Sequence, residues 1–100
     1  MLSNRLGIRL RAAVEYSEIT LAELAARVGY DKSTISRYLA GLLVPRIYLV
    51  RLLASELGVD PDWLLGVEGA VAVPGDGYAS EYIEQLEQTA LMREERNRRR

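Results

Sequence analysis

The chain predicts an all-α fold of five short helices followed by a sixth, C-terminal one. Two observations carry that expectation. Apolar residues recur at three- and four-residue spacing through most of the 100 positions, and glycines and capping residues punctuate them at short intervals. The one segment without helical spacing, VEGAVAVPGDG at 67–77, offers too few alternating positions for a strand.

Ser3 is placed to cap a first helix over about residues 4–16, where Leu6, Leu10, Ala13 and Val14 form the apolar side with arginines between them. Thr20 and Glu23 make a T-x-x-E capping box ahead of Leu24, Ala25 and Val28, so the second helix is short and well specified. Gly29 ends it as a residue suited to positive φ, and Asp31 offers a carboxylate to cap a third helix over about 32–40 that stops at Gly41. Pro45 suits the first position of a fourth helix, whose apolar side is Ile47, Leu49, Val50, Leu53, Ala54 and Leu57, ended by Gly58. DPDWLLG then supplies a very short fifth helix, with Asp60 as cap, Pro61 in the first turn and Gly66 after it, and Trp63 as its core anchor. Residues 67–78 read as a linker. From about Ala79 a sixth helix carries the stripe Tyr82, Ile83, Leu86 and Ala90, with glutamates on the opposite side. A lone helix of this length is marginal in water, so the stripe must pack on the body or on a partner chain.

Composition narrows the chemistry. With 49% hydrophobic residues the chain can build one compact core, and it holds neither cysteine nor histidine, which removes disulfides, thiolate metal sites and the commonest metal ligand and general base. No cofactor is expected. The first ten residues lack the apolar run of a signal peptide, and no later run nears the roughly 18 residues of a membrane span. The net charge of −1 hides a segregation: residues 1–51 carry eight basic and four acidic groups, 52–92 carry eight acidic and no basic ones, and 93–100 carry five basic and two acidic.

In a helix starting near Lys32, Ile35 and Leu39 face inward while Lys32, Ser33, Ser36 and Arg37 project outward. A helix pair joined by a three-residue turn, whose second member shows small polar and basic groups, suits the major groove of double-stranded DNA. The stretches TLAELAARVGYDKSTISRYLAG and VPRIYLVRLLASELGVDPDWLLG, together with the first helix, resemble the five-helix DNA-binding domain of the lambda repressor and Cro family of helix-turn-helix regulators over residues 4–66. The motif match is specific because it combines Ala25, Gly29, Ile35, Gly41 and the late Leu-Gly-Val and Asp-Trp-Leu-Leu.

That resemblance implies a helix-turn-helix domain over 1–66, with Lys32, Ser33 and Arg37 on base edges and Thr20, Leu21, Thr34 and Arg46 on the DNA backbone. Relatives commonly place a glutamine where this chain has Leu21, so only the backbone amides there, with Thr20, carry over. They are often basic after the recognition helix, where this chain has Leu42, Leu43 and Val44. A regulator of this kind is expected to act as a homodimer, and the apolar stripe beyond the matched region makes residues 79–100 the expected dimerisation helix and basic tail. Tyr82, Ile83, Leu86 and Ala90 are the first candidates for the seam, while Leu42 and Leu43 belong either to the core or to that seam. Arg5, Arg9 and Arg11 are read as solubilising or salt-bridging groups outside the site.

An enzyme is not expected. Lys32 and Ser33 are helix neighbours whose side chains do not face each other, and VPGDG lacks the strand and lysine of a phosphate loop. No small-molecule effector site is legible. The expected role is a cytoplasmic, nucleoid-associated repressor on a pseudo-palindromic operator. The alternative is an antitoxin-like interaction module whose acidic segment 52–92 meets a basic protein, with secondary or nonspecific DNA binding.

Overall fold

The computed structural model describes residues 2–98, with side chains described from Arg5 to Arg96. Six helices follow one another: α1 (Leu2–Ser17), α2 (Leu21–Val28), α3 (Lys32–Leu39), α4 (Ile47–Leu57), α5 (Pro61–Leu65) and α6 (Gly77–Arg98). The all-α expectation holds.

Local chemistry explains the boundaries. Around α2 both halves of the capping box form: Thr20 Oγ1 accepts from the Glu23 amide at 3.1 Å, and the Glu23 carboxylate reaches back to the Thr20 amide. Gly29 adopts φ 77°, and the amides of Gly29 and Tyr30 both close onto the Ala25 carbonyl, turning the chain straight into α3. At α5, Asp60 caps through its carboxylate, which accepts from the Asp62 amide at 2.8 Å.

Several boundaries differ from the sequence reading. α1 starts at Leu2, so Ser3 lies inside the helix rather than at its cap. Asp31 holds the N-cap backbone position of α3, but its side chain makes no capping bond. Arg46 rather than Pro45 immediately precedes α4, and Pro45 is buried in the loop before it. Ile47, counted on the apolar side of α4, is exposed, because the first turn of that helix projects past the core. α6 begins two residues early, at Gly77, because the Asp76 carboxylate accepts from the Ala79 amide at 3.0 Å.

One core joins all six helices, built from Leu10, Leu24, Ile35, Leu49, Leu53, Leu57, Leu64 and Ile83, each essentially without exposed surface. α1 runs through the middle, touching α3, α4, α5 and α6. The segment read as a linker is helix-free up to Gly77 but does not run free. Ala72 is fully buried, its carbonyl accepts from the Asp60 amide at 2.7 Å, and Ser80 Oγ bonds both the amide and the carbonyl of Val73 at 3.0 Å.

That strap delivers α6 antiparallel onto α1: the rings of Tyr16 and Tyr82 lie 6.3 Å apart near one end, while Arg5 and Arg9 meet Glu87 further along. The stripe therefore packs on the body of its own chain, with Ile83 at 0% exposure and Leu86 and Ala90 half-buried. Glu87 corrects the expectation that the glutamates all face away, since it is only 4% exposed. Its carboxylate sits 2.8 Å from Arg9 Nε and 3.2 Å from Arg5 Nε. Arg9 also donates to the Trp63 carbonyl and lies over the Trp63 ring, 5.1 Å from its centroid. One buried carboxylate thus ties α6 to α1, and through Arg9 to α5.

Candidate nucleic-acid interface

α3 is held from beneath and at both ends. Ile35 buries its whole side chain under the helix, and the Gly29 turn fixes the leading end against α2. At the trailing end α1 comes unusually close. A Cβ on Gly7 would lie 2.7 Å from the Leu39 carbonyl oxygen and 2.9 Å from that of Tyr38, so only glycine allows this approach. Arg11 of α1 donates to the Leu39 carbonyl at 3.4 Å, placing a cation at the negative end of α3. Sequence reasoning missed Gly7, since a glycine inside a helical pattern carries no turn signal.

With the inner face fixed, Lys32, Ser33, Ser36 and Arg37 are all exposed on the outer one, and Thr34 lies half-buried at its edge. The three residues expected on base edges therefore share one surface. The backbone candidates fall elsewhere, with Thr20 and Leu21 at the start of α2 and Arg46 at the start of α4. Thr20 is already engaged: its hydroxyl donates to Glu23 Oε1 at 3.0 Å while accepting from the Glu23 amide. Among the described residues the amides of Leu21 and Ala22 have no acceptor, and they are the open donors at that end.

Ion pairing sharpens the charge pattern. Arg5 and Arg9 share the single negative charge of Glu87, and Arg27 is 3.7 Å from Glu56 across α2 and α4. Lys32, Arg37, Arg46 and Arg51 have no acidic partner within salt-bridge distance among the described residues, nor has Arg11, which instead donates to the Leu39 carbonyl at the end of α3. The unpaired cations of the basic half are thus concentrated on α3 and the first turns of α4. The charge of the tail ending RNRRR falls largely outside the residues whose side chains are described.

The two groups of dimer candidates separate sharply. Ile83 is wholly enclosed by its own chain, so it has no surface to give a partner, and Tyr82 is half exposed beside Tyr16. Leu42 is 73% exposed, and Leu43 and Val44 continue the same exposed apolar run directly after α3.

Two short helices packed across a tight glycine turn, the second presenting a polar and basic face, define a helix-turn-helix DNA-binding unit. Residues 5–74 match the family model described as a helix-turn-helix domain, and the chain belongs to that family. No curated protein and no solved structure matches it. Among the described residues no helix is long and apolar enough to cross a membrane.

Proposed function

We propose that this helix-turn-helix protein is a sequence-specific transcriptional regulator that binds a pseudo-palindromic operator as a homodimer and represses by occlusion. The observation that carries the proposal is the division of α3, with Ile35 locked in the core and Lys32, Ser33 and Arg37 on one exposed face. α3 enters the major groove, where Lys32 and Arg37 donate to guanine O6 and N7 and Ser33 approaches either strand. Thr34, Arg46 and the open amides at Leu21 hold phosphates, with Thr20 contributing through its backbone position. Two copies place their α3 helices about 34 Å apart, one turn of B-DNA.

The dimer seam in this proposal is the run Leu42, Leu43 and Val44. A groove of about 470 Å³ lined by Leu6, Val44, Leu64 and Leu65, with Arg5 and Arg9 at its side, opens beside it, so the same surface supplies both a knob and a hole for a two-fold interface. Leu42→Asp should lower the dimer fraction in analytical ultracentrifugation while leaving the monomer's own melting temperature, read at high dilution, unchanged, because within one chain Leu42 touches solvent rather than core. An unchanged dimer would remove this run from the seam.

A binding selection on randomised duplex DNA, at two salt concentrations, tests the function itself. Two half-sites one helical turn apart support a dimeric operator binder; enrichment of nothing, with salt-sensitive binding to every duplex, sinks the sequence-specific reading. On the selected site, Arg37→Ala should cost roughly 1–3 kcal/mol and relax preference at one base position. Equal losses on specific and random duplexes would reassign Arg37 to the backbone.

A further inference from the structure

Tyr30 stands in the turn between α2 and α3, two residues before Lys32, and Tyr48 stands in the first turn of α4. Their hydroxyl oxygens are 2.6 Å apart on the surface. A phenol has one proton to give. One of the two protons is used between the oxygens, and the other has no protein acceptor among the described residues, so the pair presents a donor to solvent.

The surroundings of that donor favour an anion. The Tyr30 hydroxyl is held above the usual tyrosine range, first by its hydrogen bond with Tyr48 and then by desolvation and the nearby phenols of Tyr48 and Tyr38, while the Arg46 guanidinium pulls it the other way. The Tyr30 phenol therefore holds its proton at neutral pH, and a cation lies close to it. Arg46 makes no capping bond at the start of α4, and the amides of Ile47 and Tyr48 have no acceptor among the described residues. Three kinds of donor thus lie close together: a phenol pair, a guanidinium, and the two free amides that make up the positive end of an eleven-residue helix.

From this convergence we infer that Tyr30, Tyr48 and Arg46 form one phosphate-binding site for the DNA backbone, at the leading end of α3. The inference rests on the reading that α3 enters the major groove, whose walls are rows of phosphodiesters. The hydroxyl pair joins the turn before α3 to the first turn of α4, so a phosphate held there fixes how deep α3 sits and in which register. Sequence-neutral contacts of this kind orient a reading helix without reading bases themselves.

The test uses the full chain, the selected duplex and a random duplex, with dissociation constants measured over a salt series. Tyr48→Phe should weaken binding about three- to ten-fold on both duplexes, the worth of one hydrogen bond. It should leave the salt dependence unchanged, because a neutral donor displaces no counterion. Arg46→Ala should reduce the slope of log affinity against log salt by about 0.9, one phosphate's share. Uncharged methylphosphonates introduced one position at a time should reveal one phosphate per half-site whose replacement weakens the natural protein more than it weakens Tyr48→Phe, in which Arg46 still meets that phosphate. If every methylphosphonate weakens both proteins equally, the hydroxyl pair is only a strut and the site is wrong. If Tyr48→Phe binds as tightly as the natural protein, the site falls while the regulator reading stands. Failure of the natural protein to bind any duplex would overturn both.

Discussion

Glu87→Ala should lower the stability of the protein by about 3 kcal/mol, the usual consequence of leaving a buried charge without its partner. The carboxylate is almost fully enclosed and serves Arg9 at 2.8 Å and Arg5 at 3.2 Å. Arg5 is half exposed and water can replace its partner, but Arg9 is held under α6 against Trp63 and cannot leave without giving up that packing. For a domain of this size the loss corresponds to a melting temperature lower by about 10–20 °C, measured by circular dichroism or by Trp63 fluorescence. The double replacement Arg9→Met with Glu87→Leu should recover most of the loss, since apolar groups of similar volume often substitute for a buried pair without penalty. A single mutant as stable as the natural chain would show that the pair contributes nothing.

Gly7→Ala should destabilise the protein by roughly 1–3 kcal/mol, as overpacking does, although alanine is the better helix former by about 1 kcal/mol. The atoms that the new methyl group meets are the backbone carbonyls of Tyr38 and Leu39, which cannot swing aside like a side-chain tip. α1 and the trailing end of α3 must separate, and α3 then loses the seat that presents Lys32 and Arg37. DNA affinity should fall together with stability. Gly77→Ala is the matched control, since nothing lies within 4 Å of its added methyl group and its φ is not positive; it should be neutral or slightly stabilising. Equal behaviour at the two positions, read from urea denaturation, would rule out the close approach at Gly7.

The elements around the turn were legible because their signals are local. Thr20 with Glu23, Gly29, and Asp60 with Pro61 each act within a few residues, and the structure forms both caps and the left-handed turn. The inward face of α3 was legible from the spacing of Ile35 and Leu39. The α6 stripe was legible as a stripe, but its occupant was not, because periodicity says which side is apolar and not what covers it. Glu87 shows the same limit. It lies four residues after Ile83, on the buried side, and only the antiparallel seating on α1 brings the arginines that make burial tolerable. Tyr30 and Tyr48 are 18 positions apart on different elements, so no periodic pattern pairs them. Asp31 failed in the opposite sense: a carboxylate at a cap position promises a bond that its side chain does not make.

The pairing of α1 with α6 also bears on how the chain emerges during synthesis. Arg9 and Glu87 are separated by 78 residues, so α1 waits through the synthesis of all the intervening helices before α6 can close on it. At about 5–20 residues per second that delay is roughly 4–16 s, during which Arg9 lacks its carboxylate and Tyr16 the Tyr82 ring. The helix-turn-helix body is then assembled before this brace arrives, and a nascent chain stalled ahead of Ile83 would leave the face of α1 that carries Arg9 and Tyr16 open to whatever surface is nearest.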